Sequence, residues 1–375
     1  MDFQLSDEQA LLRDTVRDLA LRSYDTERRN AVVATELGWS REVWQQLAET
    51  GVLAIGLEAD TGGPIEVMLV LTEIGRRLAP EPIMTAALAP GAVIAEQGSA
   101  EQRALLDEVA AGQRLLAFAH TEPGMRGAAG QVGTRAVRNG DSWLLTGRKN
   151  PVPAGGCADT LVVSAALPDG GTGLFVVDVA AGAGSLTRHG YATFDGLRAA
   201  QIDLAETPAA PLGTGPDADD ATAAIERAIV RIQSALCAEA VGAMEESLRL
   251  TTEYLKTRKQ FGVTLNKFQT LTQRAADMYV SVELARSMSY YAAMSIADGN
   301  LDPVIAARAK LQINRSGRHV AQEAIQLHGG IGMTWEYPVG HYAARLTAIE
   351  HSLGSANDQL QVLTGRLGDY DLVKL

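Results

Sequence analysis

The segment IERAIVRIQSALCAEAVGAMEESLRLTTEYLKTRKQFG, residues 225–262, decides the fold. Ile225, Ile229, Ile232, Leu236, Met244, Leu248 and Leu255 keep to steps of three and four, or sums of them, so one stripe of a long helix is apolar. A helix of that length outruns the ordinary globular helix, and such helices pack as bundles. Two more follow: Phe268 to Ala297, then Pro303 to Leu327 with Asp302 as its cap and Pro303 at its first position. Gly329 and Gly330 stop the latter, and a last helix is expected over roughly 340–367.

Working back toward the N-terminus, the period changes. Residues 134–138 and 142–146 alternate around Asn139-Gly140-Asp141, where Asn-Gly supplies the positive φ angles of a tight hairpin. Thr160 to Ser164 and Gly173 to Val177 are further β-rich runs, and Ala205 to Asp220, rich in Pro, Gly, Thr and Asp, reads as an exit linker. The first part of the chain is helical: Ser6 and Gln9 form a capping box ahead of Leu12, Val16 and Leu19, and a second helix starts near Ser40. Asp60-Thr61-Gly62-Gly63-Pro64 breaks the chain before a helix from Ile65 to Leu78. The expected fold class is a multi-domain α+β protein. Its parts are an N-terminal α-helical domain (1–115), a middle β domain (116–215) and a C-terminal four-helix bundle (216–375).

With 375 residues, 46% of them hydrophobic, the chain can bury a large core. A net charge of −12 and no Lys/Arg block argue against a nucleic-acid partner, whose phosphates call for a basic surface. No apolar run approaches the roughly 20 residues that span a bilayer, and no signal-peptide pattern opens the chain, so the expectation is a cytoplasmic protein without a membrane partner. Cys157 and Cys237 are far apart and lack metal-ligand spacing, so no metal site is expected.

Four segments carry a resemblance. They are Gly62-Gly63 with Glu73-Ile74-Gly75-Arg76; Thr121-Glu122-Pro123-Gly124; Arg258-Lys259-Gln260-Phe261-Gly262 with Phe268-Gln269; and Gln326-Leu327-His328-Gly329-Gly330-Ile331-Gly332. In this order and spacing they resemble the acyl-CoA dehydrogenase family. The resemblance implies oxidation of an acyl-CoA thioester to the 2,3-enoyl-CoA, with a glutamate taking the α proton, FAD taking the β hydrogen, and an electron-transfer flavoprotein reoxidising the flavin. It also implies an FAD laid across two subunits. Under it, Arg258 is the arginine lent to the neighbour's FAD pyrophosphate, Phe261 and Gln269 flank the adenosine, and Gln326, Gly329 and Gly330 form the diphosphate rest. His328 reads as packing or solvent-facing rather than catalytic.

The resemblance also shows what is missing. Gly124-Met125-Arg126-Gly127-Ala128-Ala129 stands where the family carries Gly-Ser-Asp, and Pro151 and Pro153 stand where it carries a tryptophan and a hydroxyl residue beside the flavin ring. Leu353 and Ile232 occupy the two positions where family members place the catalytic base, so no catalytic residue is assigned. Glu350, three residues before Leu353, is the alternative base if the two share a helix face. These losses resemble the degenerate subunit of actinobacterial α2β2 steroid-CoA dehydrogenases. That implies a heterotetramer in which FAD is shared with a second acyl-CoA dehydrogenase subunit carrying the base, and an isolated chain without activity. Two other readings stay open: a self-sufficient homo-oligomeric dehydrogenase with a relocated base, and a cofactor-free scaffold or binding protein on the same fold.

Overall fold

The computed structural model describes residues 4–369 except 59, 60, 126, 129 and 141. In chain order the helices are α1 (Asp7–Ser23), α2 (Thr26–Val33), α3 (Arg41–Glu49), α4 (Pro64–Arg77), α5 (Ala89–Gln97), α6 (Ala100–Arg103), α7 (Leu105–Ala110), α8 (Thr222–Thr257), α9 (Gln269–Ala297), α10 (Pro303–His328), α11 (Val339–His351) and α12 (Ala356–Gly365). The strands are β1 (Leu116–Ala119), β2 (Arg135–Asn139), β3 (Ser142–Pro153), β4 (Thr160–Ala166), β5 (Thr172–Asp178), β6 (Leu186–Ala192), β7 (Arg198–Pro211), β8 (Lys259–Gln260) and β9 (Val263–Thr264). Two compact units result: residues 1–30, 64–79 and 233–375 form one, and 31–63 with 80–232 the other. The division runs through α8, between Ile232 and Gln233.

The first unit is helical. α1 packs on α4, α4 on α9, and α10 lies among α9, α11 and α12. Val241, Met244, Met278, Val282, Ile313, Val320, Leu346 and Ile349 are buried together in its core. Glycine lets α4 and α8 cross at backbone contact. A Cβ at Gly242 would lie 1.8 Å from the Thr72 carbonyl oxygen, and one at Gly75 2.0 Å from that of Glu239. This gives a physical reason for Gly75 within Glu73-Ile74-Gly75-Arg76. Gly242→Ala forces the helices apart and is expected to cost about 2 kcal/mol, read as a fall in the midpoint of urea denaturation at unchanged slope.

The second unit holds a seven-stranded sheet in the order β1-β4-β2-β3-β7-β5, with β6 on β7. β4 also pairs with β5, which closes the path. Inward-facing Leu145, Leu161, Val163, Phe175, Val177 and Ile202 fill its core.

Two expectations are corrected. The linker expected over Ala205 to Asp220 is strand as far as Pro211, because β7 finds ladder partners on β3, β5 and β6 despite its prolines. The single last helix is two: Leu353 (φ 53°) and Gly354 (φ 104°) take left-handed angles between α11 and α12, which no right-handed helix accommodates. The Asn-Gly hairpin joins β2 to β3 as expected, with Gly140 at φ 63°; Asp141 of that turn and Asp60 of the Gly-Gly-Pro break lie outside the described residues.

Candidate functional site

At one end of the helical unit the chain brings together the residues expected to hold the nucleotide. The Tyr254 ring, one turn before Arg258, stacks on His328 at 4.6 Å, just before Gly329. Arg274 makes a two-point ion pair with Glu323 (2.6 and 3.0 Å), and Gln269 and Gln326 lie about one turn beyond these partners. α8, α9 and α10 therefore converge where Arg258, Gln269, Gln326 and Gly329 stand.

Between Arg258 and Gln269, β8 and β9 form a two-residue hairpin whose turn is Phe261 (φ 51°) and Gly262 (φ 82°). That turn demands positive φ at both positions, where Asn-Gly is the favoured pair. Phe261 takes a conformation that costs a side-chain-bearing residue about 1 kcal/mol, and its ring is 92% exposed. Phe261→Asn is expected to stabilise the chain by up to about 1 kcal/mol while weakening retention of a bound adenosine group; denaturation and dialysis read the two effects separately.

The geometry fits a dinucleotide phosphate. A Cβ added at Gly329 or Gly330 meets nothing within 4 Å, so the backbone there is open to close approach. Among the described residues, the side chains of Arg258, Gln269 and Gln326 make no hydrogen bond or ion pair, which leaves their donors for a ligand. No side chain caps α9 at Phe268, so the first N–H groups of that helix have no side-chain acceptor. His328 is buried; its Nδ1–H donates to the Ala324 carbonyl at 2.8 Å, and burial holds its pKa below the usual value.

The loop after α11 carries Leu353, and three side chains hold its backbone. Gln233 Nε2 and Gln359 Nε2 each donate to the Leu353 carbonyl at 3.0 Å, and Asn314 Nδ2 reaches the Gly354 carbonyl at 3.4 Å. Fully buried Lys310 donates to the Ile349 carbonyl and to Asn314 Oδ1, both at 2.7 Å. Burial pulls its pKa down to about 8, with Cys237 and Glu350 opposing less strongly. Leu353 offers no proton acceptor. Glu350 lies on α11, whereas Leu353 is two residues past its end, so the expectation that they share a helix face does not apply. Ile232, on α8, is aliphatic and half-buried.

In the sheet unit, Thr121-Glu122-Pro123-Gly124 is anchored from below. Lys149 Nζ, fully buried, donates to Glu122 Oε1 at 2.6 Å, to Ser164 Oγ at 3.1 Å and to the His120 carbonyl at 3.2 Å. Glu122 also accepts from the Thr134 N–H (3.0 Å) and hydroxyl (2.6 Å). Burial pulls the Lys149 pKa down to about 8 against the pull of Glu122. Burial raises the Glu122 carboxyl, but Lys149 and Thr134 overcome this and hold it below the usual range. The partners differ because Lys149 is wholly buried and Glu122 keeps an edge in solvent. With Ser164 accepting from Lys149, its hydroxyl donates to His120 Nδ1 (2.9 Å), and His120 Nε2–H donates to the Ala128 carbonyl (2.9 Å). Burial and then Lys149 lower His120 to about 4, so it stays neutral. The segment standing in place of Gly-Ser-Asp is thereby tied down at Ala128; Arg126 and Ala129 lie outside the described residues. Pro151 and Pro153 project to the exposed face of β3, and Pro151, lacking an N–H, falls in the ladder irregularity between Lys149 and Val152.

Sequence reasoning missed Lys149, His120 and Lys310. Lys149 had a signal: it has the parity of inward-facing Trp143 and Leu145, which asks for a buried partner. Among the described residues, no group of three or more His, Cys, Asp or Glu could hold a metal ion, and no helix is long and apolar enough to cross a membrane.

Comparison with known proteins identifies both ends of the chain. Residues 6–113 match the family model for the acyl-CoA dehydrogenase N-terminal domain and 223–368 that for its C-terminal domain. The chain is 30% identical over 371 residues to the acyl-CoA dehydrogenase IpdE2 of Mycobacterium tuberculosis, covering 95% of this chain and 96% of that protein. It is 28% identical over 357 residues to FadE27 of the same organism, covering 89% and 90%. Among solved structures it is similar to a variant of the Tcur3481-Tcur3483 steroid ACAD, with a TM-score of 0.88, 33% identity, and 97% and 98% of the two chains covered. It is also similar to the ChsE4-ChsE5 complex from Mycobacterium tuberculosis, with a TM-score of 0.88, 25% identity, and 99% and 100% covered.

Proposed function

Because this chain belongs to the acyl-CoA dehydrogenase family, we propose that it is one subunit of a heteromeric FAD-dependent acyl-CoA dehydrogenase, lending nucleotide contacts to a flavin whose ring, base and substrate pocket belong to a second subunit. The carrying observation is the contrast within the helical unit. Among the described residues the side chains of Arg258, Gln269 and Gln326 make no hydrogen bond and the backbone at Gly329 and Gly330 is open to close approach, while the loop held by Gln233, Asn314 and Gln359 presents leucine at the base position.

Desaturation of an acyl-CoA removes the α carbon's hydrogen as a proton and the β carbon's as hydride. When bound, the flavin accepts the hydride. The proton needs a carboxylate in contact, because an α C–H beside a thioester is a weak acid, and Leu353 and Ile232 cannot accept one. What this chain's residues do is bind. The Arg258 guanidinium would grip phosphate oxygens of the cofactor at two points. Gly329 and Gly330 would admit the diphosphate, and Phe261 would lie against the adenosine. Two relatives support a heteromer and a steroid side-chain thioester as substrate: one structure is described as a steroid ACAD, and another as a complex of two unlike chains. Reoxidation by an electron-transfer flavoprotein belongs to the same proposal.

The test is acyl-CoA-dependent dye reduction. The chain purified alone is expected to show none, and activity is expected on co-expression with its partner. In the active complex Glu350→Gln is expected to leave the rate unchanged. A rate that collapses with Glu350→Gln, or an active single-chain preparation, would place the base in this chain and overturn the proposal.

A further inference from the structure

The helical unit holds a second polar site, separate from the end that carries Arg258. A cavity of about 160 Å³ opens where α1, α4, α8 and α9 meet beside the Gly75 and Gly242 crossing. That is roughly the size of a cavity that admits one benzene-sized molecule. Its walls carry four guanidinium groups, from Arg13, Arg17, Arg76 and Arg286, against two carboxylates, Glu73 and Glu245.

Those carboxylates are already taken. Glu73, only 2% exposed, accepts from Arg17 Nη2 (2.8 Å), Arg17 Nε (3.1 Å) and Arg76 Nε (3.1 Å). Glu245 accepts from Arg76 and, on its other oxygen, from Arg286 Nε (2.9 Å) and Nη2 (2.7 Å). Donors are left over: among the described residues Arg13 spends only its Nε, on Asp14, and Arg76 only its Nε and Nη2. Asp14 and Glu283, which offset Arg13 and Arg286, have side chains 52% and 37% exposed, where solvent screens them.

The second observation is Ser289. It is 2% exposed, it lines the cavity, and its hydroxyl has no hydrogen-bond partner. A buried unpaired hydroxyl costs on the order of 1–3 kcal/mol unless something else bonds it. Surplus guanidinium donors, an unpaired hydroxyl and room for one small molecule describe the needs of an acceptor-rich guest.

We infer that this cavity is an oxyanion site, taking a phosphoryl or carboxylate group between Arg13, Arg76 and Ser289 and joining α1 and α4 to α8 and α9. The inference does not rest on the proposed function. It is tested by thermal unfolding of the full chain in inorganic phosphate, acetate or chloride at matched ionic strength, for wild type, Ser289→Ala and Arg13→Gln. Phosphate is expected to raise the wild-type midpoint saturably, by about 2–4 °C, and to give neither variant the saturable part. The same rise in acetate assigns a carboxylate-tolerant site; a rise in phosphate alone assigns a phosphoryl site. A phosphate effect equal to that of chloride, or equal in wild type and both variants, would overturn the inference, since general salting-out acts on all three proteins alike.

Discussion

Replacing Arg258 by alanine in the assembled protein is expected to weaken flavin binding by about 10²-fold. The magnitude comes from two charge-assisted hydrogen bonds at about 1.5–3 kcal/mol each, reduced because the exposed guanidinium already bonds water before the cofactor arrives. Arg258→Lys keeps the charge and loses the fork, so a loss of about tenfold is expected. Flavin retained through dialysis reads both. Stability of the chain itself is expected to stay unchanged, since among the described residues the Arg258 side chain bonds nothing. Unaltered flavin retention in the alanine variant would show that Arg258 does not hold the nucleotide and would overturn its assigned role.

Glu122→Gln is expected to cost about 3–5 kcal/mol of folding stability, the usual result of leaving one member of a buried ion pair behind. Lys149 cannot turn to solvent, and the amide that replaces the carboxylate brings N–H donors against the Thr134 N–H and hydroxyl. The pH dependence identifies the cause. Lys149 has a folded pKa of about 8 against an ordinary 10.5, so the unfolded chain binds more protons across that window and stability rises with pH through it. Without Glu122 the folded pKa falls further, and the rising limb is expected to begin below pH 8 in the variant. Denaturant titrations at a series of pH values read both effects. A loss below about 1 kcal/mol with no change in pH profile would show that the pair is worth no more than a surface salt bridge.

The elements that were legible in the sequence have local causes. Ser6 and Gln9 form their capping box, Ser40 caps α3, Asp302 and Pro303 start α10, and Asn139-Gly140 turns β2 into β3. What was not legible depends on distant partners. β7 passes through Pro208 and Pro211 because neighbouring strands supply ladder bonds that its own composition argues against. The break at Leu353 is set by Gln233 and Gln359, 120 residues before it and six after it, pulling on one carbonyl. The reason for Gly75, a crossing helix at backbone contact, needs Gly242 in view, roughly 170 residues further along the chain, a separation that no local pattern spans. At the site, the nucleotide-side residues could be placed from the four segments, whereas Lys149 and Lys310 are charges in the interior that periodicity assigns to no chemistry.

Flavin stoichiometry separates a shared cofactor from an owned one. The visible absorbance of the chain purified alone, set against its protein absorbance, is expected to show almost no flavin, while the co-expressed complex is expected to hold one FAD for each pair of unlike chains. One FAD bound tightly per chain in a homo-oligomer of this protein would contradict the account, because the ring side would then be built from Pro151, Pro153 and Leu353 after all.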